Sequence, residues 1–148
     1  MRVAVAADHA GFPLKQLAIE TARAAGHVVE DLGTHSTDPV DYPDTARATA
    51  EAIREGRADR AVMVCGSGAG VAVAANKFHG VRAAVCHDTY TAHQCVEHDD
   101  VNVLALGGRV VGAALAEEII RAFLGAEFSG EERHRRRLAK IDAIERER

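Results

Sequence analysis

The 148-residue chain has no tryptophan, and phenylalanine and tyrosine bring its aromatic content to only 4%. With so few stacking residues and a net charge of −4, it has neither the aromatic platform nor the positive field of a nucleic-acid binder. The same charge argues against an anionic membrane surface, and no apolar run reaches the ~20 residues of a membrane span. The three cysteines, odd in number and without CxxC spacing, make no disulfide framework. Met1 leads directly into a strand-like run without a secretory pattern, so a reducing cytoplasm is the expected location. There is no repeat, low-complexity tract or linker, and residues 1–148 read as one domain.

What is present alternates between two periods. Short apolar or β-branched runs occur at 3–7, 27–32, 61–65, 81–86 and 102–107. Between them lie stretches with helical spacing, at about 43–55, 68–78, 88–97 and 111–124, and a charged helix at about 131–147. In a further such stretch, between the first two runs, Leu14, Leu17, Ala18, Thr21, Ala22 and Ala25 share a face, and Gly26 is placed to close the helix. This alternation predicts an α/β fold: a Rossmann-like three-layer sandwich, with a five-stranded parallel sheet and helices on both faces. The first, third, fourth and fifth strands are expected to be buried on both sides. Ligands in such sheets bind beyond the carboxyl ends of the strands, which selects the loops at 8–11, 33–43, 65–70, 86–90 and 107–112.

The loop "CGSGAG" (65–70) is the most informative of these. Gly66, Gly68 and Gly70 allow backbone N–H groups to approach a ligand at the start of a helix, an arrangement suited to an anion or a developing oxyanion. No Lys-Ser or Lys-Thr pair follows, so it is not a Walker loop, and its glycine spacing does not match a dinucleotide fingerprint. Cys65 ends the strand in front of this turn, where exposed N–H groups favour a thiolate over the inert buried thiol of most free cysteines. Ser67 either caps the helix or offers a hydroxyl to the ligand.

Asp8 and His9 follow the first strand, and Asp8 is equally suited to capping the next helix. His98 lies between a helix and the last strand, and Arg109 sits in the glycine-rich turn after that strand. Arg133 and Arg137 lie four apart, so two guanidiniums on one helix face are able to share a phosphate; taken alone, the run is a solvated basic face. His87, His93, Cys95 and His98 fall within twelve residues, but their spacing does not gather four ligands on one side of a helix, and no metal is expected.

The segments "DHAGFPLK", "DYPD", "CGSGAGVAVAANKF", "VRAAVC", "EHDDVNVLALGGRVVG" and "RHRRRLAKI" resemble, in order and spacing, the ribose-5-phosphate isomerase B family, which includes galactose-6-phosphate isomerase subunits. The resemblance covers essentially the whole chain. It implies an aldose–ketose isomerase interconverting ribose 5-phosphate and ribulose 5-phosphate through a cis-enediolate, with no cofactor. By resemblance Cys65 is the general base, His98 opens the furanose ring, and Gly66, Ser67, Gly68, Ala69 and Gly70 hold the enediolate oxygens. Asp8 and His9 match ring-oxygen and hydroxyl contacts, and Arg109, Arg133 and Arg137 match substrate and phosphate contacts. The resemblance further implies a homodimer, or a pair of dimers, with each site between two subunits. Two positions depart from the family pattern: Ser67 replaces the usual Thr, and Asp99, at a substrate-contacting position, replaces the usual Asn. An ionised Asp only accepts hydrogen bonds where Asn also donates, which leaves allose 6-phosphate, a tetrulose phosphate or another sugar phosphate as alternative substrates. Two other readings are a sugar-phosphate-binding subunit without strong activity and a flavodoxin-type nucleotide module. The presence of both Cys65 and His98 argues against the first, and the missing phosphate-loop lysine against the second.

Overall fold

The computed structural model describes residues 1–147; Arg148, the last residue of the expected domain, lies outside the described residues. The elements run β1 (Arg2–Ala7), α1 (Phe12–Ala24), β2 (Val28–Asp31), α2 (Tyr42–Arg54), β3 (Arg60–Cys65), α3 (Ala69–Ala75), β4 (Ala83–Val85), α4 (Thr89–Asp99), β5 (Val103–Gly107), α5 (Ala113–Gly125) and α6 (Glu132–Arg146). The strands pair in parallel in the order β2-β1-β3-β5-β4. No helix among the described residues is long and apolar enough to cross a membrane.

The two-residue period of the strands sorts their side chains onto two unlike faces. On one face Val3, Val5, Val62, Val64, Leu104 and Leu106 pack with α1, α4 and α5, around a fully buried Phe123. Each such large side chain contributes roughly 1.5–3 kcal/mol through burial. The other face is built mainly from alanine: Ala4, Ala6, Ala61 and Ala105 meet Ala46 and Ala50 of α2 and Ala72 and Ala75 of α3. Side chains this small let α2 and α3 lie close to the sheet. The expected α/β sandwich is therefore present, with α1, α4 and α5 on one side and α2 and α3 on the other.

One expectation is corrected. β4 is not buried on both sides: it is the outermost strand, with Ala83 and Ala84 half-buried and Val85 exposed. Its apolar composition mimics a central strand, but it pairs only with β5. Among the helices, α3 ends at Ala75, sooner than its apolar pattern suggests, and residues 76–78 continue as a turn. Gly26 does close α1: at φ +87° its N–H donates to Arg23 O and the His27 N–H to Ala22 O, the paired bonds of a Schellman motif.

Periodicity also concealed an ion pair. Lys15 of α1 is 4% exposed, and its Nζ lies 2.9 Å from both carboxylate oxygens of Asp31 and 2.6 Å from Thr34 O. Burial alone would raise the Asp31 pKa. Hydrogen bonds from Lys15 and the Gly33 N–H, with the lysine charge, outweigh it and hold the carboxyl below its usual range. The stabilisation is thus complete above the unfolded-state value of about 4 and is lost as pH falls through the lower folded-state value. Asp31→Asn, which strands the buried ammonium, is expected to cost about 2–3 kcal/mol in urea unfolding at pH 7, less than a fully buried pair because Asp31 keeps some solvent access. The difference from wild type should shrink as the pH falls through that lower value.

Candidate active site

Three loops meet where β1, β3 and β5 end. β1 is hydrogen-bonded to β3 and β3 to β5, so the loops leaving them at 8–11, 65–68 and 107–111 are neighbours by topology. Their backbones interlock: the Asp8 N–H donates to Val64 O at 3.1 Å, Gly108 N–H to Cys65 O at 2.7 Å, and Arg109 N–H to Gly66 O at 3.1 Å. Gly11 permits this approach, because a Cβ built there would lie 2.0 Å from Val64 O. The result is an open cleft of ≈ 490 Å³ lined by Asp8, His9, Tyr42, Cys65, Ser67 and Arg109, among others.

At its floor Cys65 is 5% exposed, and its Sγ accepts a hydrogen bond from the Gly68 N–H at 3.1 Å. Gly68 makes that bond from φ +82°, a left-handed conformation that L side chains avoid. Ala69 N–H lies 3.3 Å from Ser67 Oγ, so Ser67 engages the start of α3 while remaining exposed to the cleft. The first N–H groups of a helix have no partner within it, and the start of α3 lies beside Ser67 and Gly70 of the cleft lining. The Arg109 side chain passes over the loop, with Cδ and Nη1 each 3.8 Å from the point where a Gly66 Cβ would lie. One wall therefore offers a positive charge, the floor N–H donors and a thiol.

Asp8 does not cap α1, whose N-cap is Gly11 without a side-chain hydrogen bond; its Oδ1 closes the turn before the helix, accepting from both Ala10 N and Gly11 N at 2.9 Å. His9 Nδ1 accepts from Val40 N at 3.2 Å, which orients the ring's opposite nitrogen. Tyr42, within "DYPD", also lines the cleft and carries no role expected from its sequence. Its ring lies 3.0 Å from where a Gly70 Cβ would be, so the third glycine of the loop makes room for the tyrosine. A tyrosine just before the proline that opens α2, beyond the carboxyl end of β2, was the available signal.

The remaining predicted residues stand elsewhere. His98, on the last turn of α4, stacks on His134 of α6 with ring centroids 4.2 Å apart. Arg133 and Arg137 are exposed on α6, and Arg133 pairs with Glu131 at 2.9 Å. Asp99 lines a separate cleft of ≈ 290 Å³ between β4, α4 and α6, together with Arg82, Ile141 and Glu145. Thus Asp8, His9, Cys65, Gly66, Ser67, Gly70 and Arg109 share one cleft, and His98, Asp99, Arg133 and Arg137 do not line it. Of the crowded histidines, His87 accepts from Gly107 N at 3.0 Å and His93 faces Glu97 at 3.0 Å. Cys86 and Cys95 meet in the core with sulfurs 3.8 Å apart, and their shared hydrogen bond pushes the Cys86 thiol pKa up. Among the described residues no group of three or more His, Cys, Asp or Glu is placed to hold a metal ion.

The sequence and its parallel α/β sandwich have direct counterparts. The Ribose/Galactose Isomerase family profile matches residues 3–141, and the chain belongs to this family. It is 44% identical over 147 residues to ribose-5-phosphate isomerase B of Escherichia coli, covering 99% of this chain and 98% of that one. It is 42% identical over 132 residues to D-erythrulose-4-phosphate isomerase of Pectobacterium atrosepticum, covering 88% of this chain and 86% of that one. Its fold superposes on Clostridium thermocellum ribose-5-phosphate isomerase B with a TM-score of 0.96 and 45% identity, over 99% of both chains.

Two glycines of like conformation separate strain from crowding. A Cβ on Gly26 meets nothing within 4 Å, whereas one on Gly68 would lie 3.1 Å from the Leu106 carbonyl carbon. Both alanine variants incur left-handed strain of about 1 kcal/mol. Gly68→Ala is expected to lower the thermal midpoint by several degrees more than Gly26→Ala, as read by calorimetry. Equal midpoints would mean that the loop does not press on β5.

Proposed function

We propose that the protein is a cytoplasmic aldose–ketose isomerase that interconverts ribose 5-phosphate and ribulose 5-phosphate without a cofactor. The observation that carries this reading is the Cys65 thiol, fixed by the Gly68 N–H at the floor of a cleft with Arg109 above it. In the proposed reaction the Cys65 thiolate removes the proton from C2 of the open-chain aldose and returns it to C1 of the resulting cis-enediolate, while the O2 hydroxyl proton is transferred to O1. The charge that develops on the enediolate oxygens is met by the N–H groups of Gly66 to Gly70 and by the Ser67 hydroxyl. Such preorganised donors are usually the largest catalytic contribution, and a positioned base adds roughly 10²–10⁴-fold. His9 and Asp8 contact the sugar's ring oxygen and hydroxyls. Arg109, Arg133 and Arg137 bind the phosphate and orient the reacting carbons through contacts remote from them.

We further propose that the chain works as a homodimer, alone or paired into a tetramer, in which His98, Arg133 and Arg137 complete a site shared with the partner. The placement of these residues away from the Cys65 cleft supports this reading. So does α6, which buries only His134 among its own residues and leaves Ile141 and Ile144 43% and 61% exposed. A second substrate reading, a tetrulose phosphate, is favoured by the similarity to D-erythrulose-4-phosphate isomerase.

Isomerisation of ribose 5-phosphate, allose 6-phosphate and erythrulose 4-phosphate in the presence of EDTA tests substrate and cofactor independence together. Ribose 5-phosphate is expected to be the best substrate, and Cys65→Ala to lose about 10²-fold or more of kcat. A protein that is dimeric yet turns over none of these would leave only the binding-subunit reading. Co-refolding inactive Cys65→Ala with inactive His98→Ala tests the shared site. Half of the random dimers are mixed and carry one intact site of two, so about a quarter of wild-type activity should return. No recovery would place Cys65 and His98 in the same subunit's site.

A further inference from the structure

His134 lies inside a basic run, yet it is the buried residue of α6, 1% exposed. Its Nδ1 is 2.5 Å from Ser129 Oγ, and its ring stacks on that of His98 with planes 25° apart. His98 is held from its own helix as well, since Gln94 Nε2 lies 2.8 Å from its Nδ1. An amide nitrogen only donates, so the neutral His98 ring accepts at Nδ1 and carries its proton on Nε2. Burying an imidazole costs more than burying an aliphatic side chain unless its nitrogens are engaged, and Ser129 supplies that engagement here. We propose that His134 is a positioning residue: anchored by Ser129, its ring fixes the plane in which His98 presents Nε2–H to a cyclic sugar phosphate.

This proposal rests on the assignment of ring opening to His98. The charged groups facing His134 are His98 from α4 and, from the start of α6, Arg133, Glu131 and Arg137. Burial foremost, with His98 and the two arginines in the same direction and Glu131 opposed, holds the His134 imidazole below its usual range. It is therefore neutral at pH 7. A neutral His134 stacks on His98 without placing a positive charge beside the ring that presents Nε2–H.

Substrate form separates positioning from mere stability. Ribose 5-phosphate is largely a furanose, whereas erythrulose 4-phosphate and its aldose are open-chain, because O4, which would close the aldose's five-membered ring, carries the phosphate. His134→Ala in the full-length protein is expected to lower kcat on ribose 5-phosphate by roughly 10- to 100-fold with KM little changed. Turnover of erythrulose 4-phosphate should fall by less than about twofold. His134→Phe, which keeps a ring face, should recover most of the loss, and thermal midpoints establish that both variants fold. Independently of substrate, the ring resonances of His98 should broaden or split in His134→Ala as the ring samples more than one orientation, with its tautomer still held by Gln94. A single, unchanged His98 ring resonance, or equal losses on the two substrates, overturns the proposal. His98→Ala distinguishes the two failures: if it lowers turnover of both sugars equally, the ring-opening assignment is itself wrong, whereas a selective loss there and none in His134→Ala rejects the positioning role alone.

Discussion

Everything about the cleft depends on backbone approaching backbone where β1, β3 and β5 end. Three loops are bonded there by main-chain N–H and carbonyl groups, and the contact tolerates no side chain at Gly11, where a Cβ would stand 2.0 Å from Val64 O. Such contacts are rigid, because each hydrogen bond links a loop to a strand end already held in the sheet. The Cys65 sulfur inherits that rigidity. Its strand is paired on both sides, its carbonyl accepts from Gly108 N, and its thiol accepts from Gly68 N. Under the proposed function, a base that passes one proton between adjacent carbons gains from being placed this way, since small displacements are costly in rate.

The two faces of the sheet divide the work. Bulky Val, Leu, Ile and Phe residues on the α1, α4 and α5 side supply most of the apolar burial. The alanine-rich side contributes less per residue, but it lets α2 and α3 settle near the sheet and brings Tyr42, at the start of α2, to Gly70. Cys65 belongs to that thinner side. The stability of the thick side thus allows the other to be shaped around a cleft.

Period and turn chemistry made much of this legible in the sequence. Continuous apolar runs located the central strands, Gly26 marked a helix end, and the carboxyl-end rule chose the loops that do converge. What was hidden follows from the same physics. β4 is apolar like a central strand, because one flank packs on β5 and its neighbours, and local composition does not report which strand lacks a second partner. The burial of Lys15 depends on Asp31, a partner sixteen positions away, a dependence no short window contains. Within "RHRRR" the arginines drew the reading toward phosphate, while the residue that faces the body of the chain is the histidine. Its burial is set by Ser129 and His98, one five residues earlier and the other on α4.

The separation of the predicted residues into two places has a physical rationale under the proposed function. A phosphate bound by three guanidiniums needs positive charges that repel one another when it is absent. Arg109 stands on the loop after β5, whereas Arg133 and Arg137 stand on α6, which carries Glu131 and Glu132 in partial compensation. Dividing the cations between two surfaces spares a single chain the cost of assembling them all at once. Bringing those surfaces together in a dimer would concentrate the field only where the cleft, the thiol and the N–H donors already wait. On this reading α6 is nearly solvated on its own chain because most of its side chains have their partners elsewhere, and His134 is the fixed point from which it projects.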